Sequence, residues 1–382
     1  MSSMKIGIIT ILKVGNYGAE LQAYATQAIL KILGYDAEII DYLFYKNPDF
    51  IPEKSSNPSF KHPLKVSIKE FLYPIIYNIR ICLSNANPIE RNSRFEQFHK
   101  DNTSTSPTFR NYRELQQNCP EYDAYLTGSD QVWNPGIYSS LEPYLLSFAP
   151  KDARRIAYAS SFGVNVLPQN THNFYADRLK RYTAIGVREK DAINMIKKLT
   201  GQDAVWVLDP TLLLTKEQWL DVANPIAGFS KEAFILVYEL TSCPYIMHLA
   251  HRIAAKRNIR IIRICKDAVP VEKDENILNI TDAGPAEFLW LFDKAAVIIT
   301  NSFHGTAFAI NFNKEFYTVV SAYKKNNSRQ KSLLSMFNLS DRLIQEGEPV
   351  SDFSVPNFTN VNQIMTQKRL ESINFLIKAI NG

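Results

Sequence analysis

The stretch KIGIITILKVGNYGAELQAYATQAILKILGYDAEIID, residues 5–41, changes its hydrophobic period twice, and those changes decide the fold. Ile6, Ile8, Ile9 and Ile11 form a short apolar run, the pattern of a strand buried on both faces of a parallel sheet. Lys13 to Gly18 follows as a loop with two glycines. From Ala19 to Leu33 the apolar residues Leu21, Ala25, Ala28, Ile29 and Ile32 fall on one side of a helix. Gly34 then stands where a left-handed helix cap belongs. Ala37 to Ile40 reads as the next strand, ending at Asp41. Strand, helix, strand in about 35 residues is one β-α-β unit.

The same alternation resumes further on. Strands are expected at Asp123–Thr127, Arg155–Ala159, Thr183–Val187 and Ala204–Leu208, with a helix at Lys190–Leu199. A second set follows: strands at Phe234–Tyr238, Ile259–Ile264, Val297–Thr300 and Phe316–Val320, and helices at Pro244–Lys256 and Pro285–Asp293. Two alternating sets predict an α/β protein with two doubly wound, Rossmann-like domains facing a cleft, where ligands bind beyond the carboxyl ends of the strands. The expected division is a first domain over 1–212, a linker over 213–230, a second domain over 231–350, and a C-terminal helix within 351–382 that packs back. Residues 45–118 read as an irregular, partly helical insertion opened by Pro48, Pro52, Pro58 and Pro63. Within it, Leu64–Leu83 carries aromatic and aliphatic residues with Lys65, Lys69 and Arg80. It reads either as a helix covering the core or as a segment lying on a membrane surface.

The whole chain bounds what it can do. Its 382 residues suit two cores, and 46% hydrophobic with 21% charged residues is ordinary globular composition. A net charge of +5 favours an anionic small molecule or surface. No basic stripe interleaved with aromatics points to nucleic acid. Cys82, Cys119, Cys243 and Cys265 are scattered without zinc spacing, so no metal and no disulfide framework is expected. No apolar run approaches the ~20 residues of a membrane span, and the first residues lack signal-peptide form, so a cytoplasmic protein is expected.

Four polar loops follow strands. Gly15–Gly18 contributes Asn16 and Tyr17, though its spacing is not a dinucleotide fingerprint. Gly128–Asn134 offers Ser129, Asp130, Gln131, Trp133 and Asn134, a mixture that suits sugar hydroxyls and the C–H face of a ring. The same residues also read as an Asp cap on a helix start with Trp133 in the core. Arg188 ends a strand, placed either to hold a carboxylate or phosphate with two bonds or to pair with Glu189 or another neighbour. Thr300–Thr306 leads into a helix, whose N-terminus attracts anions. There Gly305 permits close approach, and His304 can donate hydrogen bonds or move a proton near neutral pH.

Taken in order, these loops resemble the polysaccharide pyruvyl transferase family. The matching residues include Gly128-Ser-Asp-x-x-Trp133, Tyr158-Ala-Ser-Ser-Phe-Gly163, Val187-Arg-Glu189, Leu208-Asp-Pro-Thr211, Ser302-Phe-His-Gly-Thr306 and Asn327-Ser-Arg329. The resemblance implies a GT-B-like fold, phosphoenolpyruvate as donor and no other cofactor. It implies a sugar hydroxyl pair as acceptor, free or lipid-linked, and a pyruvate ketal on capsule, exopolysaccharide or cell-wall glycan as product. Within it, His304 and Asp130 are the expected catalytic residues. Arg188, Arg329, Ser302, Gly305 and Thr306 are expected to bind the donor. Asn16, Tyr17, Ser129, Gln131, Trp133 and Asn134 are expected to bind the acceptor. The chain departs from several members at Ser302, where they carry Arg two positions before the His. The anion contact of that Arg is expected from Arg329 or Arg188. Two other classes compete: a nucleotide-sugar glycosyltransferase, which needs base and ribose contacts, and a non-catalytic scaffold of a polysaccharide assembly complex.

Overall fold

The computed structural model describes residues 3–53, 57–59, 87–229, 232–265, 274, 276–321, 327–350 and 355–382. The segment 64–83 lies outside them. The described residues fall into two compact units. One takes those of Met1–His62 with His99–Leu214 and Asn362–Gly382; the other takes those of Pro63–Phe98 with Thr215–Val361.

The first unit holds β1 (Lys5–Ile9), α1 (Tyr17–Ile32), β2 (Asp36–Ile39), the end of α2 (Pro88–Asn102), α3 (Tyr112–Gln117) and β3 (Ala124–Thr127). It continues with β4 (Arg154–Ser160), α4 (His172–Leu179), β5 (Ala184–Val187), α5 (Lys190–Thr200) and β6 (Val205–Trp206). Its six strands run in the order β2-β1-β3-β4-β5-β6, every pair parallel. The order reverses between β1 and β3, where Ile6 faces Ala124 and Ile9 faces Thr127. Ile6, Ile8, Ile9, Leu126 and Ile156 are fully buried, which accounts for the unbroken apolar runs of a sheet covered on both faces. Each such side chain stabilises the fold by about 1.5–3 kcal/mol. Of the apolar side expected for α1, Leu21, Ala25 and Ile29 are buried, Ala28 is partly buried and Ile32 near the helix end is exposed; Gly34 beyond it takes a φ of 90°.

The second unit opens with α6 (Lys216–Leu220), β7 (Phe234–Tyr238), α7 (Pro244–Arg257), β8 (Arg260–Ile264), β9 (Ile277–Ile280) and α8 (Pro285–Lys294). It goes on to β10 (Val297–Thr300), α9 (Phe303–Asn311), β11 (Glu315–Val320), α10 (Ser328–Met336) and β12 (Leu343–Gln345). Its sheet is also parallel throughout, in the order β12-β11-β10-β7-β8-β9. Read from β9, this is the 3-2-1-4-5-6 order of dinucleotide-binding folds, reversing between β7 and β10.

The stretch expected as a linker contains structure. Thr215 and Gln218 close a capping box at the start of α6, and Trp219 is buried against Phe308 of the second unit. The last helix, α11 (Phe358–Asn381), packs on the first unit. There Ser372 Oγ accepts from Leu208 N at 3.0 Å, and Arg369 donates to the carbonyls of Leu212 and Leu214. No described helix is long and apolar enough to cross a membrane. Cys119, Cys243 and Cys265 are free thiols.

Candidate functional site

In each unit the polar loops gather where the strand order reverses and on the strand ends beside it. In the first unit, Thr10 Oγ1 at the end of β1 donates to Ser129 O at 2.9 Å, tying the loops after β1 and β3 together. Gln22 Nε2 of α1 donates to the same Thr10 hydroxyl at 2.8 Å. Asn16 caps α1, its side chain accepting from Ala19 N.

At the centre of this edge lies a buried charge network. Asp209, just past β6, accepts from Ser129 Oγ at 2.7 Å, from Arg188 Nη1 at 3.2 Å, and from Thr211 N and Oγ1 at 3.0 and 2.7 Å. Arg188 Nη2 reaches Asp130 Oδ1 at 3.5 Å. The Arg188 side chain is 1% exposed and that of Asp209 0%, while Asp130 keeps 17%. Burial would lower the Arg188 pKa, but Asp130, Asp209 and Glu189 outweigh it and raise it above its ordinary value. The guanidinium is therefore a permanent cation facing carboxylates. Glu189 is itself buried and accepts from Ser161 Oγ at 2.9 Å and from Phe162 N at 3.1 Å.

The backbone is shaped to serve this network. Asp130 sits at φ 73°, a left-handed conformation that Asp tolerates better than most residues. β4 carries an irregularity between Ala157 and Ser160, with Ala159 at φ 52°. The bulge turns Ser160 Oγ onto the carbonyls of Thr127 and Gly128, and lets Ser161 N bond Asp130 O at 3.0 Å. A Cβ on Gly163 would lie 2.0 Å from Gln131 Oε1 and 2.7 Å from Asn134 Nδ2. That glycine makes room for an amide pair in which Asn134 Nδ2 donates to Gln131 Oε1 at 2.8 Å.

Several expected acceptor residues point elsewhere. Trp133 is fully buried, its Nε1 donating to Tyr144 O and its ring packed on Phe162 and Tyr182. It anchors the loop and offers no face to a sugar. Tyr17 is likewise buried, and Ser129 has no exposure. Asn16, Asp130, Gln131 and Asn134 keep partial exposure. Arg188, expected to hold the donor, instead faces Asp130 and Asp209.

In the second unit the loops after β7 and β10 are interlocked. Asn301 Oδ1 accepts from Leu240 N at 2.8 Å, and its Nδ2 donates to Thr241 O at 2.7 Å. Thr300 Oγ1 donates to Tyr238 O at 2.6 Å. Ser302 caps α9, its Oγ accepting from Gly305 N at 3.2 Å. His304 lies in the first turn, 7% exposed, its ring edge-on to Phe303. In α10, Gln330 Nε2 donates to Asn301 O at 3.4 Å, tying that helix to this loop; Arg329, one position before it, is partly buried.

Two expected donor contacts prove to be packing. A Cβ on Gly305 would meet Thr300 Oγ1 at 2.5 Å, so this glycine lets α9 pass close over β10. Thr306 Oγ1 is buried, donating to Ser302 O and sharing a 2.8 Å hydrogen bond with Thr318 Oγ1. Glu239, at the end of β7, accepts from Cys243 N at 2.9 Å and from Arg263 Nη2 at 2.7 Å, which neutralises that arginine.

Fold and edge chemistry together define an α/β protein with two Rossmann-like sheets, each presenting polar loops at its carboxyl edge. A family model described as polysaccharide pyruvyl transferase matches residues 16–323. The chain belongs to the polysaccharide pyruvyl transferase family. No curated protein matches it. Similar solved structures include the UDP-GlcNAc 2-epimerase of Neisseria meningitidis bound to UDP-GlcNAc, at 11% identity and TM-score 0.46, covering 99% of this chain and 94% of that one. The UDP-GlcNAc 2-epimerase of Methanocaldococcus jannaschii matches at 11% identity and TM-score 0.45, covering 95% and 92%. Arabidopsis thaliana UGT89C1 complexed with quercetin matches at 13% and 0.41, covering 100% and 94%.

Proposed function

We propose that the chain transfers a pyruvyl group from phosphoenolpyruvate onto two hydroxyls of a sugar, forming a cyclic ketal during surface polysaccharide synthesis in the cytoplasm. The observation that carries the reading beyond the family match is the contrast between the two carboxyl edges. The first unit gathers Asp130, Asp209 and Glu189 around one guanidinium, with amides beside them, a setting for a neutral polyol. The second presents a helix start bearing His304, with Arg329 on the adjoining helix, a setting for an anion. The first unit is thus assigned the acceptor and the second the donor.

The chemistry follows from the enol. A proton delivered to C3 leaves an oxocarbenium-like centre at C2, which one sugar hydroxyl attacks. The C2–O bond to phosphate breaks, phosphate departs with the electron pair, and a second hydroxyl closes the ketal while releasing its proton. In this reading His304 contacts the phosphate or acts as general acid, and Asp130 takes the hydroxyl proton. Arg188 is reassigned from donor binding to holding the Asp130 carboxylate.

Calorimetric titration with phosphoenolpyruvate, beside uridine diphosphate, tests the donor assignment. Saturable phosphoenolpyruvate binding that His304→Ala weakens supports it. Binding of the nucleotide alone replaces it with glycosyl transfer.

A further inference from the structure

With Trp133 buried, the loop that carries Asp130 needs another aromatic surface if it is to hold a sugar ring, and it has one. Asn134 starts a turn in which Ile137 N bonds Asn134 O at 3.1 Å, and the next residue, Tyr138, emerges with 47% of its surface exposed. Behind it lies Tyr45, half-buried, with ring centroids 6.1 Å apart at 65°. Tyr45 is backed by Phe44 at 4.5 Å, and Lys46 Nζ sits 5.7 Å from its ring centroid. Asn57 fixes the turn from below, donating from Nδ2 to Pro135 O at 3.2 Å and Ile137 O at 2.9 Å. An exposed tyrosine on a buttressed turn costs little further entropy on binding.

We propose that Tyr138, braced by Tyr45, is the stacking platform for the acceptor's pyranose ring, with the Gln131–Asn134 amide pair as its hydrogen-bonding edge. The proposal rests on the transferase reading and names the residues that recognise the acceptor. The C–H face of a pyranose is weakly positive and apolar, matching the negative face of a phenol ring. Amides both donate and accept, as ring hydroxyls do. Lys46 stands beside Tyr45, so a neutral pyranoside, which carries no charge for it to attract, isolates the contribution of the ring face.

The test uses the full chain with a panel of methyl pyranosides (galactoside, mannoside, N-acetylglucosaminide and glucuronide) in saturation-transfer NMR. Phosphoenolpyruvate calorimetry runs in parallel. At least one neutral pyranoside should receive saturation at its ring C–H protons. Tyr138→Ala should reduce that signal about threefold to tenfold, and Tyr138→Phe should retain it. Phosphoenolpyruvate binding should be the same in all three proteins. Undiminished saturation in Tyr138→Ala, or a wild-type protein that binds phosphoenolpyruvate but no neutral pyranoside, overturns the platform and leaves the donor reading intact. Pyranoside binding lost in Tyr138→Ala without any phosphoenolpyruvate binding upholds the platform and removes the donor reading. Silence toward both ligands overturns both.

Discussion

The carboxylate of Asp209 and the guanidinium of Arg188 meet at 3.2 Å with essentially no solvent on either side chain. Asp209 also accepts from Ser129 and Thr211, so it joins the ends of β3, β5 and β6. Removing one charge strands the other in a low-dielectric setting. Asp209→Ala should cost about 3–5 kcal/mol in urea unfolding. Asp209→Asn, which keeps an acceptor for Thr211, should cost less. A loss within about 0.5 kcal/mol for the alanine variant would show that the network contributes nothing to stability.

His304 is buried in the first turn of α9 with its ring edge-on to Phe303, and glutamine is close to it in size and polarity. His304→Gln should therefore leave the urea midpoint close to wild type. It should reduce phosphate release from phosphoenolpyruvate by about a hundredfold or more. Unchanged turnover in the folded variant would remove His304 from the chemistry.

Gly163 is restricted twice, by its φ of 63° and by the amide oxygen where its Cβ would stand. Gly163→Ala should destabilise the chain by about 1–3 kcal/mol. By displacing Gln131, it should also raise the acceptor KM more than it lowers kcat. Equal effects on both parameters would count against a binding role for the amide pair.

Asp293 accepts from Lys216 at 2.7 Å and Lys294 at 2.9 Å. Burial pushes its pKa up, but these two lysines, joined by Lys314, outweigh burial and hold it below the ordinary value. A depressed folded pKa means the contribution is complete above the unfolded value of about 4, and is lost as pH falls through the folded value. Asp293→Asn should flatten the acid limb of the stability–pH curve below about pH 4 while the neutral plateau drops slightly. An unchanged acid limb would show that this carboxylate is not the group responsible.

Much of the scaffold was legible because parallel strands covered on both faces leave long aliphatic runs, as at Ile6–Ile9 and Val297–Thr300. Elements at the sheet margins escaped. β9 buries only the two ends of ILNI, Ile277 and Ile280, which is no regular period, and β12 is three residues long, too short for any period to register. The supposed linker hid α6 because a helix of five residues has one buried anchor, Trp219. Among site residues, side-chain type identified the loops but not direction. Trp133, Tyr17 and Thr306 have the chemistry of ligand contacts, yet the pleat and helix turn point them inward. Asp209 stands in the sequence only within the Leu208-Asp-Pro-Thr211 motif, with no role attached, because its partners Ser129 and Arg188 are 80 and 21 residues away.

The return of α11 to the first unit sets an order of events on the ribosome. Ser372 seals the Leu208 amide, Arg369 takes up the carbonyls of Leu212 and Leu214, and the Phe375 ring fills the space over Gly186. None of these groups exists until the second unit has been synthesised. Domains ordinarily fold in the sequence in which they are made. Here the half translated first is completed last. A nascent chain stalled before Phe358 should yield to protease in its amino-terminal half while the later half resists.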